Sequence, residues 1–265
     1  MRITVIGAGI AGSALTRLAR ERGHDVSLVS VGPPASAAAL AVARPSWLKL
    51  EDRLGLAFSL DWYRANGMLI ATEAAVRNAK TPTEVKLQGG WYLIDPLAPL
   101  VAPDEERAVT RDDFHRGGPI VVCVGAGATF PPPRIGGTNW GSTATCAAAW
   151  EEAGHLPTLQ VAHLRPYHSV MVACDGGHIR LGSSQGATPE AADRRLYSDL
   201  AVAEELGLVG RGWAWDIVRG QRVTVKAPRV QRNGNRYTMT NYGRLGYSLA
   251  PWDAHNVLEE IESGN

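Results

Sequence analysis

The sequence predicts an α/β fold in which a parallel sheet shares the chain with a smaller antiparallel layer. Three stretches carry that prediction. A β-branched segment, residues 2–6, runs straight into Gly7-Ala-Gly9-Ile-Ala-Gly12 and a helical apolar pattern. Residues 118–128 form an apolar run ending in small residues, as expected of a strand buried on both faces of a parallel sheet. Residues 159–184 read as two β segments joined by an Asp175-Gly176-Gly177 turn, a hairpin signature. The 265 residues, 45% hydrophobic and 20% charged, suffice for one large domain or two interleaved small ones.

The elements follow in order. Ile10, Ala14, Leu15, Leu18 and Ala19 share a helix face, and Arg20 and Arg22 precede a stop at Gly23. A second strand, 26–31, completes a strand, glycine turn, helix and strand, the context in which G-x-G-x-x-G reads as a dinucleotide cradle. Gly7 turns the chain, Gly9 lets the backbone approach a pyrophosphate, and Gly12 lets helix and sheet pack closely. Ile10 and Ala11 then sit in the first turn, where free N–H groups and the helix dipole favour an anion. That second strand ends at Ser30, where such units usually carry the acid that binds the adenosine ribose; a hydroxyl is the weaker acceptor.

Residues 35–47 are rich in alanine and end near Pro45, which reads either as a buried helix start or as a backbone passing beside a planar cofactor. Residues 89–96 read as a strand with Trp91 and Tyr92 on opposite faces. Pro131-Pro132-Pro133 imposes an extended break. Thr188-Pro189-Glu190 opens a helix over 188–206, and strands return at 216–225 and 236–242. The chain ends on a second glycine-rich loop, from Gly243, feeding a helix.

The balance of 27 basic and 26 acidic residues, a net charge of +1, excludes a polybasic or histone-like character. Cys123, Cys146 and Cys174 show no C-x-x-C spacing, so a disulfide scaffold, a zinc ribbon, an iron–sulfur site or any other metal centre is not expected, and a reducing compartment is the simpler reading. Nothing resembles a signal peptide or an apolar membrane span, so a soluble, cytoplasmic protein is expected.

Five blocks in order, GAGIAGSA at 7–14, ASAAALAVARP at 35–45, VVCVGAGA at 121–128, IRLGSS at 179–184, and GQRVTVKAP followed by GRLGYSLAPWDAHNVLEEI, resemble the D-amino acid oxidase family of FAD enzymes. The resemblance spans nearly the whole chain. It implies a Rossmann-type FAD-binding domain over 1–50, 105–150 and 240–265, interleaved with an antiparallel-sheet substrate domain over 51–104 and 151–239. It implies non-covalent FAD, with Gly7, Gly9, Ile10, Ala11 and Gly12 at the pyrophosphate, Ser30 at the ribose, and Ser36, Ala37, Gly125 and Gly127 alongside. Gly243, Leu245, Gly246, Tyr247 and Ser248 would border the flavin ring, with a helix from about Pro251 aimed at it.

The same resemblance places Arg222 as a bidentate clamp for a substrate carboxylate. Tyr92, Trp47, Tyr167 and His168 become pocket-wall candidates, and Lys226 a candidate for assisting reoxidation. The implied reaction is hydride transfer from the carbon beside an amine nitrogen, then hydrolysis of the imine to an amine and a 2-oxo acid such as glyoxylate. Between 207 and 250 there are eight basic residues against one acid, interleaved with Trp213, Trp215, Tyr237 and Tyr242, which admits a glycine-decorated nucleobase in DNA or tRNA as the substrate. A nicotinamide-dependent reductase and a non-catalytic nucleotide-binding protein also share the first motif and stay open.

Overall fold

The computed structural model describes residues 1–30, 32, 34–78, 80–114, 117–124, 138–147, 156–165, 168–175, 178–223, 228–240, 242 and 245–264. Among them the elements run β1 (Arg2–Ile6), α1 (Ile10–Glu21), β2 (Asp25–Ser30), β3 (Val42–Ala43), α2 (Arg53–Ala65), β4 (Leu69–Asn78), β5 (Thr81–Ile94), β6 (Glu105–Glu106) and β7 (Ile120–Val122). They continue with β8 (Thr138–Cys146), β9 (Leu159–Arg165), β10 (His168–Asp175), β11 (His178–Gly186), α3 (Pro189–Glu205), β12 (Asp216–Val223), β13 (Val230–Asn233), β14 (Arg236–Met239) and α4 (Gly246–Ser263).

Two sheets result. The first has the order β13-β14-β7-β1-β2-β6 and is parallel from β14 to β6. Its central strands are apolar because both faces are covered, and Val5 pairs with Leu28 on one side and Val121 on the other. Helices α1 and α4 close one face, packing Leu15, Leu249, Val257 and Leu258 against Ile3, Val5 and Leu28.

The second sheet has the order β12-β8-β11-β10-β9-β4-β5-β3 and is antiparallel except where β4 runs parallel to β9. Alternation gives it two apolar faces. Helix α3, capped by Thr188 accepting the Ala191 N–H, covers Val170, Val172 and Leu181 with Leu196, Leu200 and Ala203. On the other face Val76, Trp91, Leu93, Val161 and Ala173 cluster with Leu40 and Val42.

Several expectations are corrected here. Residues 35–47 form no α-helix: single 3-10 turns at Ala35–Ala38 and Pro45–Trp47 flank β3, whose pairing with Leu93 and Tyr92 overrides alanine's helix propensity. Ala41 accordingly sits at φ 55°. The stretch 159–184 holds three strands, since β9 turns back into β10 before the hairpin to β11. The last helix begins at Gly246, and Pro251 lies inside it as its sixth residue rather than at its start.

Residues 138–146 join the antiparallel sheet, whereas 230–239 join the parallel one, because Tyr237 and Met239 point into the core beside β7. Thus β8, within the expected 105–150 segment, lies in the antiparallel sheet, and β13 and β14, within the expected 151–239 segment, lie in the parallel one.

Arg229 ties α4 to the start of α2: its Nε donates to Asp253 at 2.8 Å and its guanidinium reaches Asp52 at 3.0 Å. Both carboxylates are largely buried. Arg229→Met leaves two uncompensated charges and is expected to cost about 3 kcal/mol in thermal unfolding, with Asp253→Asn restoring part of the loss.

Candidate nucleotide site and the sheet face beside it

The glycine turn is built by contacts that exclude side chains. Gly7 has φ +107°, and its N–H donates to the Val29 carbonyl at 2.7 Å, locking the turn to β2. A Cβ on Gly7 would lie 2.7 Å from the Cys123 carbonyl oxygen, and one on Gly12 would lie 1.9 Å from the Gly7 carbonyl oxygen. Gly9 differs: a Cβ there would meet Ser36 Oγ at 3.5 Å and nothing closer, so its outer side is open to a ligand.

Of the free N–H groups at the start of α1, that of Ile10 donates to Ser36 Oγ at 3.0 Å. Those of Ala11 and Gly12 lie too early in the helix to have an intrahelical acceptor. The start of α4 comes to the same place, since a Cβ on Gly246 would lie 3.1 Å from Ile10 Cγ2. Two helix N-termini thus converge beside the glycine turn, and both dipoles favour an anion there.

Ser36 and Tyr247 hold this arrangement. The buried Tyr247 hydroxyl donates between the Ser36 carbonyl at 3.0 Å and the Pro96 carbonyl at 2.6 Å. Burial raises its pKa, with the Arg180 charge acting the other way. The phenol is a strut beneath the site, and the backbone of Gly246, Tyr247 and Ser248 forms the first turn of α4. Ser248 is buried and Leu245 packs against the core, so neither side chain is presented to a ligand.

Ser30 is also occupied. Its hydroxyl donates to the Gly32 carbonyl at 2.9 Å and is 3% exposed, so it closes its own turn. At the level of Ser30 the neighbouring strand β6 carries Glu106. The loop behind β6 is pinned by Arg107, whose guanidinium forks onto buried Asp113 at 2.7 and 2.8 Å and also reaches Glu105.

The Arg107 guanidinium and the Thr110 N–H hold the Asp113 carboxyl well below the usual range. Being depressed in the folded state, it contributes stability above the ordinary aspartate pKa of about 3.9, lost as pH falls through and below that value. Asp113→Asn is expected to flatten the acid limb of the stability curve, read as denaturant midpoints between about pH 3 and pH 7.

The antiparallel sheet faces this site. On β12, a Cβ at Gly220 would lie 2.7 Å from the Ala35 carbonyl oxygen, so the strand crosses directly over the turn that carries Ser36 and Ala37. Arg222, two residues on, pairs in register with Asn139. Tyr92 packs against the core of the parallel half, opposite Trp91. Gly125, Gly127, Tyr167, Lys226 and Gly243 lie outside the described residues, as does the Arg222 side chain.

His168 is not brought to the site. Its Nε2 meets Asp199 on α3 at 2.9 Å, on the face that α3 covers. Within the basic segment, three arginines are committed to acids of the protein. Arg219 forks onto Asp193, Arg229 bridges Asp52 and Asp253, and Arg232 pairs with Glu260. Trp213 and Trp215 pack under α3, and Tyr237 is buried in the parallel half.

A cluster that sequence reasoning missed lies on the sheet face away from α3. The Arg44 guanidinium sits 4.2 Å above the centre of the buried Trp91 ring, and Trp47 meets Trp91 edge-on at 5.6 Å. His163 Nδ1 lies 2.7 Å from Ser169 Oγ, and burial together with the Arg44 charge lowers its pKa, keeping the imidazole neutral at pH 7. Arg44 has no carboxylate partner among the described residues. The available signal was a lone arginine ending an alanine run just before Pro45.

No family model matches this chain, and no curated protein matches its sequence. Solved structures do. Glycine oxidase from Bacillus cereus superposes with a TM-score of 0.68 at 13% identity, over 100% of this chain and 95% of that one. Iminodiacetate oxidase from Chelativorans sp. gives 0.68 at 15%, over 100% and 96%. A FAD dependent oxidoreductase from Pseudomonas aeruginosa gives 0.65 at 15%, over 99% and 90%. The chain therefore has the fold of these oxidoreductases along essentially its full length. No described helix is long and apolar enough to cross a membrane.

Proposed function

We propose that this chain is a FAD-dependent oxidoreductase that oxidises the amine of a glycine-type or N-substituted amino acid, releasing an amine and a 2-oxo acid such as glyoxylate. The observation that carries the reading is the meeting of two helix N-termini beside an open Gly9, in a chain that folds throughout like glycine oxidase and iminodiacetate oxidase.

In this reading Gly7, Gly9 and Gly12, with the Ile10 and Ala11 backbone, hold the pyrophosphate of non-covalent FAD. Gly125, Gly127, Ser36, Ala37 and the loop from Gly243 to Ser248 would line the rest of the cofactor site. Bound FAD supplies the hydride acceptor. The protein's work is positional: Arg222 grips the substrate carboxylate, and the sheet face, with Tyr92 at its border, keeps the substrate's reacting carbon against the ring and excludes water. Lys226 would be the candidate cation to assist reoxidation of the reduced flavin by an external electron acceptor such as oxygen, and water would hydrolyse the imine once it leaves the closed site.

A free small molecule is favoured over a nucleobase in a polymer, because Arg219, Arg229 and Arg232 are already paired within the protein. The test is an anaerobic visible spectrum of the FAD-supplemented protein before and after addition of N-substituted glycines, free and as a nucleic-acid adduct. Bleaching of the flavin band by a free N-substituted glycine is expected. A protein that takes up no FAD, or whose flavin stays oxidised with every such amine, would overturn the proposal.

A further inference from the structure

We propose that Glu106, on the strand next to β2, is the carboxylate that binds the adenosine ribose of the dinucleotide, in place of the residue that ends β2. The inference rests on the dinucleotide reading above and adds a residue to it. A dinucleotide bound on a glycine turn places its ribose at the C-terminal end of the second strand, where two hydroxyls need a strong acceptor. Ser30 stands there and cannot provide it. Its hydroxyl is buried, donates to the Gly32 carbonyl and receives the Gly32 N–H at 3.4 Å, so its proton and one of its two lone pairs serve its own turn, and it carries no charge.

β6 ends level with that position. Val29 pairs with Glu105 and Ser30 with Glu106, and parallel neighbours lie about 4.8 Å apart, a gap that a glutamate side chain spans. Paired residues share a face, so Glu106 belongs to the side of Val26, Leu28 and Ser30, against which α1 and its glycine turn pack.

The strand is held there firmly. The Arg107 N–H donates to the Ser30 carbonyl at 3.1 Å, and Asp104 accepts the Leu28 N–H at 2.7 Å while its own N–H donates to the Leu28 carbonyl at 2.9 Å. The neighbouring charges are committed elsewhere: Glu105 and Asp113 take Arg107, and Asp104 takes Arg20. Glu106 is exposed, and its carboxylate has no hydrogen bond or ion pair among the described residues.

A carboxylate at this point accepts from ribose hydroxyls and repels a 2′-phosphate. The site is accordingly selective for an adenosine whose ribose is unphosphorylated, as in FAD and ADP-ribose.

The experiment titrates FAD, ADP-ribose and 2′-phospho-ADP-ribose into the full chain freed of bound nucleotide, read by calorimetry, with unfolding temperature as the check on folding. Glu106→Gln is expected to weaken FAD and ADP-ribose by about ten- to a hundredfold and to erase the preference against the 2′-phosphate. Ser30→Ala is expected to leave all three unchanged, and Ser30→Glu in the Glu106→Gln background to restore binding.

Wild-type affinity in Glu106→Gln, with FAD still bound by the wild type, would overturn this assignment and leave the proposed function standing. A wild type that binds neither FAD nor ADP-ribose would overturn both.

Discussion

Gly12→Ala is expected to destabilise the protein by about 3 kcal/mol and to abolish nucleotide binding, whereas Gly9→Ala is expected to fold normally and bind weakly. The two glycines belong to one motif but do different jobs. At Gly12 the added carbon would stand 1.9 Å from the Gly7 carbonyl oxygen, a backbone atom fixed by the Gly7–Val29 hydrogen bond and by the close approach of Cys123. No rotamer relieves such a clash, so α1 must move away from β1, and the packing of Leu15 and Leu18 goes with it. At Gly9 the methyl would rest at an ordinary 3.5 Å from Ser36 Oγ and occupy only the ligand's side of the turn. Thermal unfolding paired with a FAD titration separates the effects. Equal stability losses in both variants would show that the turn does not divide its labour in this way.

What could be read in advance follows the range over which each signal acts. The β1–α1–β2 unit was legible because turn, helix and strands are contiguous, and Arg20 and Gly23 mark the helix end locally. The second apolar strand was legible from its composition, since β7 is buried on both faces.

The missed features are those decided by distant partners. The alanine run became two 3-10 turns because Val42 and Ala43 pair with β5 some fifty residues away. β13 was invisible, as three of the four residues of Val230–Asn233 are polar and the strand gains its place by pairing with β14. In the basic and aromatic segment, the pairing of Arg219, Arg229 and Arg232 could not be read because their acids, Asp52, Asp193, Asp253 and Glu260, lie in other parts of the chain. The stack of Arg44 on Trp91 joins two strands whose contact no local pattern announces.

Arg222→Ala is expected to lower kcat/KM for a carboxylated amine by about a hundred- to a thousandfold, the loss of a two-hydrogen-bond clamp on a carboxylate. In the proposed function the backbone is what gives this residue its part. β12 must pass within touching distance of the turn at Ala35, which only a glycine at 220 permits, and Arg222 follows two residues later on the same strand. A shift of the strand to relieve a side chain at 220 would move the clamp as well, so Gly220→Val is expected to reproduce part of the Arg222→Ala defect.

Arg222→Lys keeps the charge and loses the planar fork, so an intermediate loss is expected. The decisive comparison is between a carboxylated amine and the same amine without its carboxylate. The alanine variant should reduce the first to the level of the second, leave the second unchanged, and keep the flavin spectrum and FAD affinity of the wild type. A variant equally impaired on both amines would assign Arg222 to the cofactor or to the fold. One unimpaired on either would move the carboxylate clamp to another cation on this sheet face, with Arg44, stacked on Trp91 and without a carboxylate partner among the described residues, the first to test.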